Sequence, residues 1–338
     1  MSIDHRLRAP IAALLLLLVG LGVSACGGTS SGAAGGGSGT LSLIAYSTPQ
    51  EAYEEIIPAF RRGAGGEGVS VKQSYGASGD QARAVEAGLD ADVVALSLAP
   101  DVDKLVEAGK VAEDWERDEF DGFVTNSVVV LATRKGNPKN ITDWDDLLRD
   151  GVEVITPNPF TSGGAKWNVM AAYGAQLEAG RSEQEAKEYL RRLFENVPVQ
   201  DKSAREALQT FVGGKGDVLL AYENEAITAQ QKGEEVDYEI PTGTILIQNP
   251  IAVTTDGTEL ARSFVDFARG EEAQRIFAAK GYRSVRKDLL DESRYPRPAN
   301  LFTIDDLGGW PKVNDEFFDP ERGVMASINA EQGFPTEK

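Results

Sequence analysis

Residues 152–168 read VEVITPNPFTSGGAKWN. Val152 to Thr156 is a short apolar, β-branched run of the kind that forms a buried strand. Pro157-Asn158-Pro159 cannot continue it. Thr161-Ser162-Gly163-Gly164 then leads into a helix whose apolar markers are Trp167, Met170, Ala171 and Tyr173. Two consecutive glycines at a helix start cost roughly 1 kcal/mol each in propensity relative to alanine, so they call for a reason. Glycine lets the backbone approach a ligand closely, and a helix start leaves up to four N–H groups without intrahelical acceptors at the positive end of the helix dipole. A serine hydroxyl beside them adds one more donor. Such a turn suits an anion. Serine is also a common cap and glycine a common turn residue, so this stretch alone leaves both readings open.

The same strand–turn–helix unit recurs on both sides. Upstream, Leu41–Tyr46, Val69–Ser74, Asp92–Leu98 and Ser127–Thr133 read as strands. Helices follow Ser47-Thr48-Pro49 (Tyr53, Ile56, Ile57, Phe60) and Ser78-Gly79 (Ala82, Val85, Leu89), and another runs through Leu105. Ser47 is placed to cap the first helix and Pro49 suits its first turn. Thr142 is expected to cap a short helix carrying Trp144, Leu147 and Leu148. Downstream come a helix over 182–196, a short strand over 197–199, a helix from Ser203-Ala204 to Val212, a strand over 217–222, an apolar segment over 245–254 and two further helices. Strands alternate with helices and no repeat of 20–50 residues is present, so the expected class is α/β with mostly parallel sheets. Ligands in such folds sit beyond the carboxyl ends of the strands. No linker-like stretch interrupts the middle of the chain, which suits two lobes that exchange strands. Three turns thus share one design, Ser78-Gly79, Ser162-Gly163-Gly164 and Ser203-Ala204, with Ser47-Thr48 a weaker fourth. Their glycine spacing matches neither a P-loop nor a dinucleotide fingerprint.

The chain has 338 residues, 41% hydrophobic and 26% charged, enough for about two domains. Its net charge of −19 argues against nucleic acid or an anionic membrane surface as a broad electrostatic partner. A small enclosed anion escapes that objection, because surface carboxylates are screened over ~8–10 Å while backbone dipoles act at contact. The single cysteine, Cys26, and single histidine, His5, cannot build a zinc cluster or a disulfide framework; no metal and no cofactor is expected.

Arg6 and Arg8 precede the apolar run Ile11–Val23, which falls short of the ~20 residues of a spanning helix and suits a signal-peptide core over residues 1–25. Val23-Ser24-Ala25-Cys26 resembles the bacterial lipobox, in which cleavage precedes the cysteine and the thiol is lipidated. Gly27 to Thr40 then reads as a flexible tether with an r.m.s. reach of roughly 20 Å. Cleavage before Cys26 also removes the only histidine, and with it Ser-His-Asp, Cys-His and His-metal chemistry. A carboxylate pair remains open to acid–base work, Glu223 and Glu225 being the candidates.

Six stretches carry a family resemblance: Ser74–Gly79 (SYGASG), Ala91–Leu96 (ADVVAL), Arg134–Pro138 (RKGNP), Val154–Pro159 (VITPNP), Thr161–Asn168 (TSGGAKWN) and Gly216–Ala226 (GDVLLAYENEA). In these the chain resembles the substrate-binding proteins of bacterial sulfate and thiosulfate ABC importers over most of residues 41–290. The resemblance implies a two-lobed periplasmic-binding-protein fold of type II, each lobe a mostly parallel sheet flanked by helices, with a dehydrated sulfate in the cleft. It implies neutral donors: the backbone at Ser47 and Ser78, the Ser162 hydroxyl, the backbone of Gly163, Gly164 and Ala204, and an indole N–H at the position of Tyr222. The partners implied are sulfate, the permease subunits of the importer and, through the lipid, the membrane, with a monomeric receptor.

Three positions depart from the family pattern. Ser47 stands where the family has Asp, a change its backbone contact tolerates. Tyr222 replaces the indole; a phenol also donates but reaches differently. Asp80 replaces a basic residue beside Ser78 and would repel a dianion or accept from a proton-bearing one, which opens phosphate beside sulfate. The expected lobes are 41–125 plus 250–338, and 126–249. The alternatives are the same fold taking molybdate, tungstate or phosphate, an exported carboxylate-dependent hydrolase, and a sensor lipoprotein without a transport role.

Overall fold

The computed structural model describes residues 39–63 and 65–336. The signal segment, Cys26 and nearly all of the tether lie outside the described residues. The elements, in order, are β1 (Thr40–Tyr46), α1 (Gln50–Arg62), β2 (Ser70–Gly76), α2 (Ser78–Glu86), β3 (Val93–Ala95), α3 (Ala99–Glu107), β4 (Phe123–Arg134), β5 (Val154–Pro157), α4 (Gly163–Glu178), α5 (Glu183–Glu195) and β6 (Gln200–Asp201). There follow α6 (Ala204–Val212), β7 (Val218–Tyr222), α7 (Glu223–Gln231), β8 (Val236–Glu239), β9 (Gly243–Val253), α8 (Glu259–Arg269), α9 (Glu271–Ala279), β10 (Arg283–Ser284), β11 (Asn300–Phe302), α10 (Gly309–Phe317) and α11 (Val324–Gln332).

The strands join in the order β2-β1-β3-β9-β4-β7-β5-β6, with β8 and β10 on β4 and β11 on β9. Pairing is parallel at both ends of this order, in β2-β1-β3 and in β7-β5-β6, as the alternation of strands and helices predicts. In the middle it is antiparallel. The two long strands β4 and β9 pair from Phe123↔Pro250 to Val128↔Leu246, β3 joins β9 at Val93↔Val253 to Ala95↔Ile251, and β7 joins β4 at Val129↔Tyr222 to Thr133↔Val218. This register decides where a ligand can sit. β1, β2 and β3 run toward the β4–β9 stretch from one end, and β5, β6 and β7 run toward it from the other. The carboxyl ends of the two parallel sets therefore face each other across it, which is where strand-end turns gather in α/β folds.

Helices cover both faces, so β4 reads as a continuous buried apolar run rather than an alternating one. On the first half α1, α8 and α9 bury Tyr53, Ile56, Phe60, Phe264 and Phe277 against β1 and β3. On the second, α4 and α5 bury Trp167, Met170, Tyr189, Leu190 and Phe194. The C-terminal stretch, expected with the first half, packs on the second: β11 pairs with β9, Trp310 meets Trp167 edge-on at 4.8 Å, and Phe317 meets Tyr173 at 4.6 Å. Gly174 is required there, because a Cβ at this position would lie 2.2 Å from the Phe302 ring.

Several local expectations shift. Pro49, not Ser47, occupies the cap position of α1, and no side chain caps that helix. Asp143 rather than Thr142 caps the short 3-10 turn at Trp144–Leu148, through a reciprocal box with Asp146. The strand read over 197–199 forms instead at Gln200–Asp201, where it pairs with β5. Leu89 lies beyond α2 and is 43% exposed. The strand read over 92–98 stops at Ala95, and Leu96-Ser97-Leu98 turns away from β3 into α3.

Candidate functional site

The start of α4 is built from local rules. Ser162 is its N-cap and its Oγ accepts from the Ala165 amide at 3.4 Å, which leaves the hydroxyl proton and the amides of Gly163 and Gly164 for another acceptor. Both glycines have a steric reason. A Cβ on Gly163 would lie 2.4 Å from Leu98 Cδ2 and 2.8 Å from Ser97 Oγ. A Cβ on Gly164 would meet Ala204 Cβ and Ser162 Oγ at 3.4 Å and the Tyr222 ring at 3.7 Å. Gly164 thus stands among Ser162, Ala204 and Tyr222, residues that the sequence scatters over three elements. The start of α6 repeats the design, with Ser203 Oγ accepting from the Glu206 amide at 3.2 Å and Ala204 as the first helical residue.

The first half contributes α2. Ser78 is its first residue, and the hydroxyl is consumed: it donates to Asp101 at 2.7 Å and accepts from the Ser97 amide at 2.9 Å. Ser78 is left with its backbone N–H, the group the resemblance assigns. Ser47 reaches the same region by another route, since the Arg205 guanidinium donates to the carbonyls of Ser47 and Thr48, each at 3.3 Å, and also binds Glu51. The structure thus brings all seven described candidates, Ser47, Ser78, Ser162, Gly163, Gly164, Ala204 and Tyr222, to the facing strand ends. Cys26 lies outside the described residues.

The residue that links them, Ser97, escaped the sequence reading. It is 1% exposed, and every polar atom it carries is engaged. Its carbonyl accepts from Trp167 Nε1 at 2.9 Å and Asn249 Nδ2 at 2.8 Å, its amide donates to Ser78, and its Oγ lies 2.7 Å from the Tyr222 hydroxyl. Read as a strand interior, it gave no signal. Asn249 gave one, as a polar residue before Pro250 within an apolar run.

Contacts between the facing halves close the arrangement. Lys202 pairs with Asp80 at 2.8 Å, Thr48 donates to Glu225 at 3.3 Å, and Glu51 of α1 is shared by Arg205 and Lys232. Asp80 also pairs with Arg83, so the carboxylate that departs from the family pattern is neutralised from both halves.

Burial works against the charge on Glu51, but the hydrogen bonds from Arg205 and Lys232 outweigh it and bring its pKa down to about 2. Glu225 has less support. Burial pushes it up to about 7, offset in part by the charge of Arg205. Burial also raises the Tyr222 phenol well above its ordinary range, so it keeps its proton and can donate. Glu223 and Glu225 are not arranged as a pair. Glu223 is held by two bonds from Arg283, at 2.8 and 3.1 Å, whose remaining donors reach the carbonyls of Tyr295 and Pro296. Among the described residues no group of three or more His, Cys, Asp or Glu side chains is placed to hold a metal, and no helix is long and apolar enough to cross a membrane.

Two lobes' worth of opposed strand ends, lined by helix starts and buried hydroxyls, define a periplasmic-binding-protein fold. The chain belongs to the bacterial extracellular solute-binding protein family, which matches residues 41–283. It is 44% identical over 311 residues to the sulfate-binding protein of Synechococcus elongatus, covering 88% of this chain and 89% of that one. It is 33% identical over 308 residues to the thiosulfate-binding protein of Pseudomonas aeruginosa, covering 86% and 92%. The solved structure of the sulfate-binding protein SubI from Mycobacterium tuberculosis H37Rv superposes with a TM-score of 0.79 at 45% identity, covering 83% of this chain and 99% of that one.

Proposed function

We propose that this protein is an extracytoplasmic receptor that captures sulfate between two lobes and delivers it to an ABC importer. One lobe comprises residues 41–125 and 250–284, and the other 126–249 with the C-terminal stretch from 300. The observation that carries this reading is the convergence of the α2, α4 and α6 starts with the Ser162 and Tyr222 hydroxyls at one buried place. Each hydrogen bond from such a group to a charged oxygen contributes about 1.5–3 kcal/mol. Ligand contacts from both lobes favour the closed arrangement by their difference between the open and closed states.

Sulfate is preferred to phosphate because the carboxylates adjoining these turns are occupied. Asp80 is paired with Arg83 and Lys202, and Asp101 accepts from Ser78. A donor-only site suits an anion without a proton, whereas phosphate keeps one near neutral pH. The role is binding rather than turnover, since Glu223 is committed to Arg283 and Glu51, the carboxylate near Glu225, to Arg205 and Lys232, which leaves neither to pair with Glu225 for acid–base work. Cys26 is the proposed lipid anchor.

Titration calorimetry of the purified protein tests the reading, with sodium sulfate, thiosulfate, molybdate and phosphate as ligands. Sulfate is expected to saturate at one anion per chain and to outcompete molybdate and phosphate. Absence of heat with sulfate at micromolar protein overturns the proposal, and tighter binding of thiosulfate or molybdate reassigns the ligand. Fatty-acid labelling that survives Cys26→Ser removes the anchor.

A further inference from the structure

The contact between Ser97 Oγ and the Tyr222 hydroxyl, 2.7 Å long, can run in either direction. Each hydroxyl has a single proton, and the direction sets what Tyr222 presents to a ligand. If Tyr222 donates to Ser97, its proton is spent and it offers the cleft only lone pairs, which repel the oxygens of a fully ionised oxyanion. If Ser97 donates to Tyr222, the phenolic proton is left for the anion.

The surroundings of Ser97 favour the second direction. Its carbonyl and amide are already bound to Trp167, Asn249 and Ser78, so its backbone is pinned from both halves. Gly163 lies beside its side chain with no room for a Cβ between them, and the Ser97 hydroxyl has Tyr222 as its one hydrogen-bond partner among the described residues. Reversing the bond would leave the Ser97 proton buried without an acceptor, a cost of about 1–3 kcal/mol. Donation from Ser97 satisfies both hydroxyls as soon as an anion accepts from Tyr222.

We infer that Ser97 is a positioning residue: by donating to Tyr222 it aims the phenolic proton at the bound oxyanion and so selects a fully ionised anion over one that retains a proton. This rests on the proposed sulfate site and adds what sets its selectivity. Without the Ser97 hydroxyl the Tyr222 oxygen keeps the Asn249 side chain as its donor but gains a free lone pair, which can accept from a protonated oxyanion.

The test is calorimetry with sodium sulfate and with inorganic phosphate at pH 6 and 8, on the unmodified protein, Ser97→Ala, Tyr222→Phe and the double variant. Ser97→Ala is expected to weaken sulfate about tenfold and to narrow the sulfate-to-phosphate affinity ratio at least tenfold, with far-UV circular dichroism unchanged. In the Tyr222→Phe background, Ser97→Ala is expected to have no further effect on the ratio. Equal losses for the two anions, or additive effects in the double variant, would each overturn the inference by reducing Ser97 to a packing residue. Failure of the unmodified protein to bind sulfate is a separate outcome, and it rejects the functional reading instead.

Discussion

The two halves of the cleft supply donors by different means. In the second half, the α4 and α6 starts are self-contained: Ser162 and Ser203 accept from amides three residues on, so their hydroxyl protons and the first helical amides are free by local geometry. In the first half nothing caps α1 or α2 with a side chain. There the donors are set by a chain that runs from Asp101 through Ser78 to Ser97, and by Arg205 reaching across from the other half to the Ser47 and Thr48 carbonyls. One half is preorganised within single turns, whereas the other is organised only when the halves meet.

Replacing Gly163 strikes where the two designs touch and gives the largest expected effect. Its added methyl would overlap Leu98 and Ser97, so Gly163→Ala is expected to lower stability by about 1–3 kcal/mol and to abolish sulfate binding at micromolar protein, read by thermal melting and calorimetry. Gly164→Ala is the contrast. Its neighbours stand at 3.4 Å or more, so the melting temperature should hold while affinity falls. Equal behaviour of the two variants would mean that Gly163 does not sit at the junction.

Next comes Ser162→Ala, expected to weaken sulfate by about 1.5–3 kcal/mol with little change in stability beyond the lost cap. An unchanged dissociation constant would remove this hydroxyl from the donor set and leave the second half with backbone donors only.

The junction should also respond to pH. The Glu225 pKa of about 7 lies above the usual carboxylate value, so its folded form binds the proton more tightly than the unfolded chain does. The stability it contributes is full below about pH 4.5 and is lost as pH rises through about 7. Glu51, held at about 2, acts in the opposite sense: its contribution is present above the unfolded pKa and is lost as pH falls toward 2. Glu225→Gln is therefore expected to flatten the decline of melting temperature between pH 5 and 8. A slope equal to that of the unmodified protein would show that Glu225 does not titrate there.

The smallest effect is expected for Asp80→Asn. The carboxylate is partly exposed and paired with Arg83 and Lys202, so screening limits its worth. Sulfate affinity should change less than about threefold. A large gain would mean that Asp80 repels the anion after all.

Much of this cleft is legible in the sequence. Gly163-Gly164 after a serine announced a helix start kept clear of side chains, and Ser203-Ala204 and Ser78-Gly79 repeated the signal. What stayed hidden shares one cause. Ser97 looked like one more strand residue because its partners lie 19, 70, 125 and 152 positions away in sequence. Asp80 looked like an unpaired charge at a helix start because Lys202 is brought to it by the other half. Ser47 looked like a cap because the pattern Ser-Thr-Pro fits one, yet α1 begins beyond Pro49.

The chain's own sequence determined the alternation of strands and helices, the helix starts at Ser78-Gly79, Ser162-Gly163 and Ser203-Ala204, and the caps at Ser162 and Ser203, since each depends on residues within a few positions of one another. It could not determine that β4 and β9 cross antiparallel, that the parallel sets on either side point at one another, or that the C-terminal stretch settles on α4 and α5. Those are matters of register and long-range burial, which arise only when distant segments remove each other's apolar surface from water and must then pair the polar groups left inside.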